Sequence, residues 1–219
     1  MESHNLESIR EKLGGKTKLL AVSKTHSVEN ILKVYDQGQK DFGENKVQDL
    51  WDKSQLLKDK MDLDWHFIGK LQSNKINKLL AVPNLKSIHS IDSLDLLKKL
   101  LSKTPDHNMG LFLQINTSDE VQKNGFSEVD HIYAAVELIA CHSLFKLQGL
   151  MTIGRIRTDD FEASARASFE KLVDLKKNLD SGHGLNLELS MGMSQDYEIA
   201  VSYGSDWVRI GSLIFGQRA

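Results

Sequence analysis

Cysteine, proline and long apolar runs are scarce in this sequence, and each shortage narrows what it encodes. Its 219 residues hold one cysteine, Cys141, so no intramolecular disulfide forms and a reducing, cytoplasmic setting is expected. Cys141 follows the helical run HIYAAVELIA as a small core residue would, which argues against a nucleophile. Only two prolines occur, Pro83 and Pro105, and no Gly/Ser-rich or low-complexity stretch marks a domain boundary. No apolar run approaches the roughly 18 residues that a membrane helix needs. The opening MESHNLESIREKLGG also lacks the apolar stretch of a signal peptide. A net charge of −2 offers no electrostatic reason for a nucleic-acid or anionic-membrane partner. The lysine clusters (Lys70, Lys75, Lys78; Lys98, Lys99, Lys103; Lys176, Lys177) stand at helical spacing and read as solvated helix faces.

Several familiar motifs are absent too. GGKT at 14–17 is not a phosphate loop, because the first glycine of that motif would fall on Arg10 and a strand, not a helix, follows. Eight histidines include no H-E-x-x-H and no pairing with cysteine, so His66 and His89 read as satisfied interior residues rather than metal ligands. No G-x-S-x-G elbow supports a hydrolase.

What the chain does have is alternation. Short apolar runs at 17–24, 40–44, 64–69, 85–92, 110–116, 145–151, 185–192 and 206–211 read as strands. Amphipathic stretches separate them, the clearest at 27–37, 93–102 and 159–179, with Ser27 and Ser93 at helix starts and Gly38 and Gly182 where C-terminal caps belong. Apolar runs without strict alternation suit parallel strands covered on both faces. Eight such units close into a (β/α)₈ barrel, expected here as one domain over residues 1–219, with an open doubly wound sheet as the alternative.

Barrel chemistry sits at the C-terminal ends of the strands. LLAVSK ends there on Lys24, the residue type least suited to burial. Desolvation favours a neutral amine, and a neutral amine condenses with a carbonyl, so Lys24 is a candidate Schiff-base residue. From position alone, a surface charge snorkelling from the rim fits as well. The far end of the chain favours the first reading. Gly192 and Ser194 in LSMGMS, and Gly211 and Ser212 in WVRIGS, follow strands seven and eight. Barrels often bind phosphate there, using glycine for close backbone approach, serine for a hydroxyl and a helix start for its N–H groups. In a closed barrel both loops neighbour strand one, and the set describes a small phosphorylated aldehyde such as pyridoxal 5'-phosphate (PLP). Arg209 points into the mouth if strand alternation holds, or else makes a surface ion pair. A guanidinium beside a pyridine nitrogen disfavours its protonation.

These motifs, together with FGEN and VQ at 42–48, WHFIG and LQSNK at 65–75, GLM at 149–151 and VRIGSLIFG at 208–216, resemble the YggS/PROSC family of PLP-binding proteins. The resemblance covers nearly the whole length. It implies that Lys24 carries PLP as a Schiff base, that Ser194, Gly211 and Ser212 bind its phosphate, and that Arg209 lies near the ring nitrogen. Asn45 and His66 fall in shared motifs near the cofactor. The family looks like the barrel half of alanine racemase-type enzymes without their second domain, whose opposing acid/base residue this chain has no room to supply. The implied function is PLP homeostasis as a carrier, buffer or regulator without turnover, acting as a monomer, with apo PLP-dependent enzymes as possible partners. A weak PLP-dependent racemase or decarboxylase is the alternative, and an aldolase acting on a sugar phosphate through Lys24 is a third reading. Lys123 is a candidate second PLP-accepting lysine.

Overall fold

The computed structural model describes residues 6–118, 124–154 and 160–216. Lys123 lies outside them. The strands are β1 (Lys18–Val22), β2 (Asp41–Glu44), β3 (Asp64–Phe67), β4 (Leu85–Ile91), β5 (Met109–Gln114), β6 (Phe145–Met151), β7 (Glu188–Met193) and β8 (Trp207–Ile210). The helices are α1 (Leu6–Leu13), α2 (Val28–Tyr35), α3 (Val47–Leu56), α4 (Ile76–Leu80), α5 (Leu94–Leu101), α6 (Val129–Ala140), α7 (Phe161–His183), α8 (Tyr197–Ser202) and α9 (Ser212–Phe215). The strands pair in sequence order, and β8 returns to β1 in parallel with Leu19 opposite Val208 and Leu20 opposite Arg209. The sheet is therefore a closed barrel, and the open sheet is excluded.

Side-chain alternation divides the strands between two cores. Leu19, Ala21, Phe42, Trp65, Phe67, Val208 and Ile210 face outward into the large core shared with the helices. Leu20, Phe112, Met151 and Trp207 point inward and form a small cluster within the barrel. His66 and His89 share that interior: His89 stacks on Phe112 at 4.0 Å and 18°, and His66 lies 5.1 Å from the Trp207 ring. Both are buried as expected, and no group of three or more His, Cys, Asp or Glu is placed to hold a metal among the described residues.

Three expectations shift. The seventh helix continues to His183 and is ended by Gly184 in the left-handed region (φ 63°), so Gly182 lies inside the helix instead of capping it. Ser27 precedes α2 in extended conformation without a side-chain cap, whereas Ser93 Oγ accepts from Leu96 N at 3.4 Å. Cys141 is exposed: α6 buries Ile132, Ala135, Val136 and Ile139, and ends one residue before the thiol.

The inner cluster is small, so each member counts. Phe112→Ala should cost about 3–5 kcal/mol, measured by urea unfolding. A loss below about 1 kcal/mol would mean that the barrel interior collapses around the vacated ring.

Candidate functional site

At the C-terminal end of the strands lies a partly open cavity of about 520 Å³. Lys24, Asn45, Ser194, Arg209, Gly211 and Ser212, all expected from the sequence, line it together. His66 does not; its side chain lies deeper in the barrel. The wall also includes residues that the sequence reading passed over. Lys70 follows β3 and reaches the cavity instead of belonging to a helix face, and Phe161 sits at the start of α7 without being fully buried.

Lys24 stands two residues beyond the end of β1, half-buried, not on the strand's last position. The chain turns sharply there. His26 N donates to Ser23 O at 3.1 Å, and Thr25 adopts φ 69°. A β-branched residue in the left-handed region is strained by about 1–3 kcal/mol, which the surrounding structure must hold. Part of that hold is visible. The Ser23 carbonyl also accepts from Lys53 Nζ at 2.9 Å, and Ser23 Oγ donates to Glu44 Oε1 at 2.7 Å. Lys53, from α3, completes the triangle with Glu44 at 2.6 Å, with side-chain exposures of 12% and 0%. His26 then stacks on Phe215 of α9 at 4.7 Å, joining the first loop to the last.

Glu44 is the most burdened group in this corner. Burial pushes its carboxyl up from the ordinary value, and the charges and hydrogen bonds of Lys53 and Ser23 offset this only in part. Its Oε2 is buried without a hydrogen-bond partner among the described residues. The sequence contained Glu44 within FGEN, yet nothing local told it from any other strand-end acid; its partner Lys53 lies one helix away.

Arg209 is buried, which rules out the surface ion pair. Its Nη1 donates to Ser190 O at 2.7 Å and to Ser190 Oγ at 2.8 Å, and its Nη2 donates to Thr152 O at 2.8 Å. Burial lowers its pKa to about 10, with the Asp196 charge opposing, so it remains a cation at neutral pH. Asp196, which also lines the cavity, is a further residue that the sequence reading missed. Burial pushes its carboxyl up, and its Oδ1 accepts from Met193 N at 2.6 Å, which fixes the loop between β7 and α8.

The two expected phosphate loops differ in how they use glycine. Gly211 lines the cavity, with Val22 O 3.1 Å from where a Cβ would stand. Gly192 does not line it. At φ 92°, a Cβ there would lie 2.5 Å from the Ala200 Cβ, so this glycine lets α8 pack on β7 and thereby sets where Ser194 emerges. The helix after Ser194, α8, begins at Tyr197.

A family model for the alanine racemase N-terminal domain matches residues 3–219. The pyridoxal phosphate homeostasis protein of Schizosaccharomyces pombe is 40% identical over 213 residues, spanning 96% of this chain and 88% of that protein. The protein of the same name from Helicobacter pylori is 42% identical over 206 residues, spanning 90% and 86%. The chain belongs to the pyridoxal phosphate homeostasis protein family. Its barrel superposes on PipY of Synechococcus elongatus, solved with PLP bound, with a TM-score of 0.87 and 33% identity, covering 98% of this chain and 99% of that one. Alanine racemase of Oenococcus oeni, at 22% identity and a TM-score of 0.67, shares the fold over 97% of this chain but only 55% of its own length. The family's single-barrel form and the larger enzymes thus have this architecture in common.

The Glu44–Lys53 pair predicts a pH signature. In Lys53→Met the carboxylate loses its counter-ion, so the folded state holds a proton that the unfolded chain releases, and stability falls as pH rises. At neutral pH the variant should be less stable than wild type by about 3–5 kcal/mol, with the deficit shrinking toward about pH 4. Urea unfolding at both pH values checks this. A deficit independent of pH would assign the role of Lys53 to packing.

Proposed function

We propose that this protein binds PLP in the cavity at the β1, β7 and β8 ends and serves PLP homeostasis as a carrier or buffer, with the Lys24 amine as its covalent anchor. The observation that supports this most is the convergence of Lys24, Ser194, Arg209, Gly211 and Ser212 on one cavity from segments up to 188 positions apart in the chain. The donor set fits the group. PLP supplies an aldehyde that condenses with a primary amine, and a phosphate dianion that takes hydrogen bonds from hydroxyls and backbone N–H groups. Ser194 and Ser212 offer hydroxyls, and Gly211 admits close approach of a ligand to the backbone. Lys24, Lys70 and Arg209 outnumber Asp196 on the wall, so the cavity favours an anion.

Arg209 also argues for holding rather than turnover. We place it on the nitrogen side of the ring, where a fixed cation disfavours a pyridinium and so weakens the ring as an electron sink. The cavity is partly open to water as well, which suits exchange of a cargo more than protection of a reactive intermediate. We place the protein in the cytoplasm as a monomer, with apo PLP-dependent enzymes as the recipients. One cysteine in the chain supports a reducing setting, and no helix among the described residues is long and apolar enough to cross a membrane.

Near-ultraviolet and visible absorbance with PLP, followed by borohydride reduction and peptide mapping, tests the anchor. The expected adduct is on Lys24, and α-proton exchange with every amino acid tried should be absent. Measurable exchange would turn the reading to a weak racemase. Lys24→Ala should lose the reducible chromophore while keeping phosphate-dependent binding; unchanged PLP retention on dialysis would remove Lys24 from the site. Ser194→Ala should weaken PLP binding by about 1.5–3 kcal/mol, the worth of a hydrogen bond to a charged group, and an unchanged dissociation constant would take Ser194 out of the phosphate cradle.

A further inference from the structure

A continuous line of hydrogen bonds crosses the barrel interior from the N-terminal end of β2 to the cavity. Asp41 Oδ1 lies 3.0 Å from His66 Nε2, and His66 Nδ1 lies 2.7 Å from Ser87 Oγ. Ser87 Oγ is 2.7 Å from His89 Nε2, and His89 Nδ1 is 2.9 Å from Ser190 Oγ. Ser190 Oγ accepts from Arg209 Nη1 at 2.8 Å. The four middle members are buried, while Asp41 is 31% exposed and lines a separate cavity with Arg10, Lys18 and Lys40.

Only one direction satisfies every member. Arg209 can only donate, so Ser190 Oγ accepts from it and its own hydrogen must go to His89 Nδ1. His89 then carries its proton on Nε2 and donates to Ser87, which donates to His66 Nδ1. His66 in turn donates from Nε2 to the Asp41 carboxylate, which can only accept. The reverse direction would leave the Ser190 hydroxyl hydrogen without an acceptor and set a His66 lone pair against a carboxylate. A cationic His66 would give Ser87 two donors and strand its hydroxyl hydrogen. Buried groups left so are costly, and a chain with consistent polarity reinforces itself.

We propose that Asp41 is a positioning residue for the cofactor cavity, acting on Arg209 through a hydrogen-bond chain that holds both His66 and His89 as neutral Nε2–H tautomers. The part concerning the cavity rests on the PLP reading; the tautomers do not. The chain gives a defined end to each link. Asp41 is the terminal acceptor, and without it Ser87 and Ser190 are free to turn their hydroxyls and loosen one of the three bonds that hold the guanidinium.

The test uses the full-length protein labelled with nitrogen-15 at histidine, with two-bond proton–nitrogen correlations reading the tautomers. In wild type and in D41N, whose amide oxygen still accepts, both imidazoles should be Nε2–H. In D41L the signals of His66 should change and those of His89, two links from the substitution, should follow. An Nδ1–H or cationic ring at either histidine of the wild type, or a His89 spectrum indifferent to D41L, would overturn the chain. PLP titration is the second readout. D41L should bind PLP about threefold or more weakly, as expected for one loosened hydrogen bond, with D41N close to wild type. Equal affinity in D41L and wild type would overturn the positioning role. A wild type that takes up no PLP, with the tautomers as described, would leave the hydrogen-bond chain standing and refute the cofactor reading instead.

Discussion

The Arg209 guanidinium, held inside the barrel by Ser190 and Thr152, is the interaction on which the functional end depends. A cation in an apolar barrel is costly to desolvate, and the structure offsets that cost with two main-chain carbonyls, a serine hydroxyl and the nearby Asp196 charge. Those partners come from β7 and from the ends of β6 and β7, so the arginine fastens three neighbouring elements as well as charging the cavity. Polar groups fill part of an interior that barrels usually pack with branched apolar residues. The apolar remainder is correspondingly small: Leu20, Phe112, Met151 and Trp207.

A second, partly buried cation braces the turn that carries Lys24. Lys53 joins Glu44 to the Ser23 carbonyl, one residue before the lysine, while Thr25, one residue after it, sits at positive φ. Lys24 is therefore bracketed by a pinned carbonyl and a strained turn. The main chain that carries the amine is thus fixed by its own contacts, so a ligand arriving there has no backbone to order.

Much of this was legible in the sequence because it rested on local patterns. Eight apolar runs with the right spacing identified eight strands, strand ends pointed to Lys24, Ser194, Gly211 and Ser212, and the family resemblance added Asn45; all five line one cavity. What stayed hidden depended on contacts between distant segments. Glu44 and Asp196 look like ordinary acids until Lys53 and Arg209 stand beside them. Gly192 looks like a phosphate glycine until α8 is packed against it, and Lys70 looks like part of a helix face until the β3 loop carries it to the cavity. Cys141 followed an apolar helix in sequence, but the helix ended before it and left the thiol outside.

Closure of the barrel joins β1 to β8, and with them the first cavity loop to the last. Lys24 and Ser212 meet only when the final strand is in place. A nascent chain emerging from its N-terminus thus presents Lys24 early but brings Gly211 and Ser212 to the same cavity only after β8 has been made. Any ligand held in that cavity touches both sides of the β8–β1 seam, and its binding would stabilise the strand pair that closes the barrel.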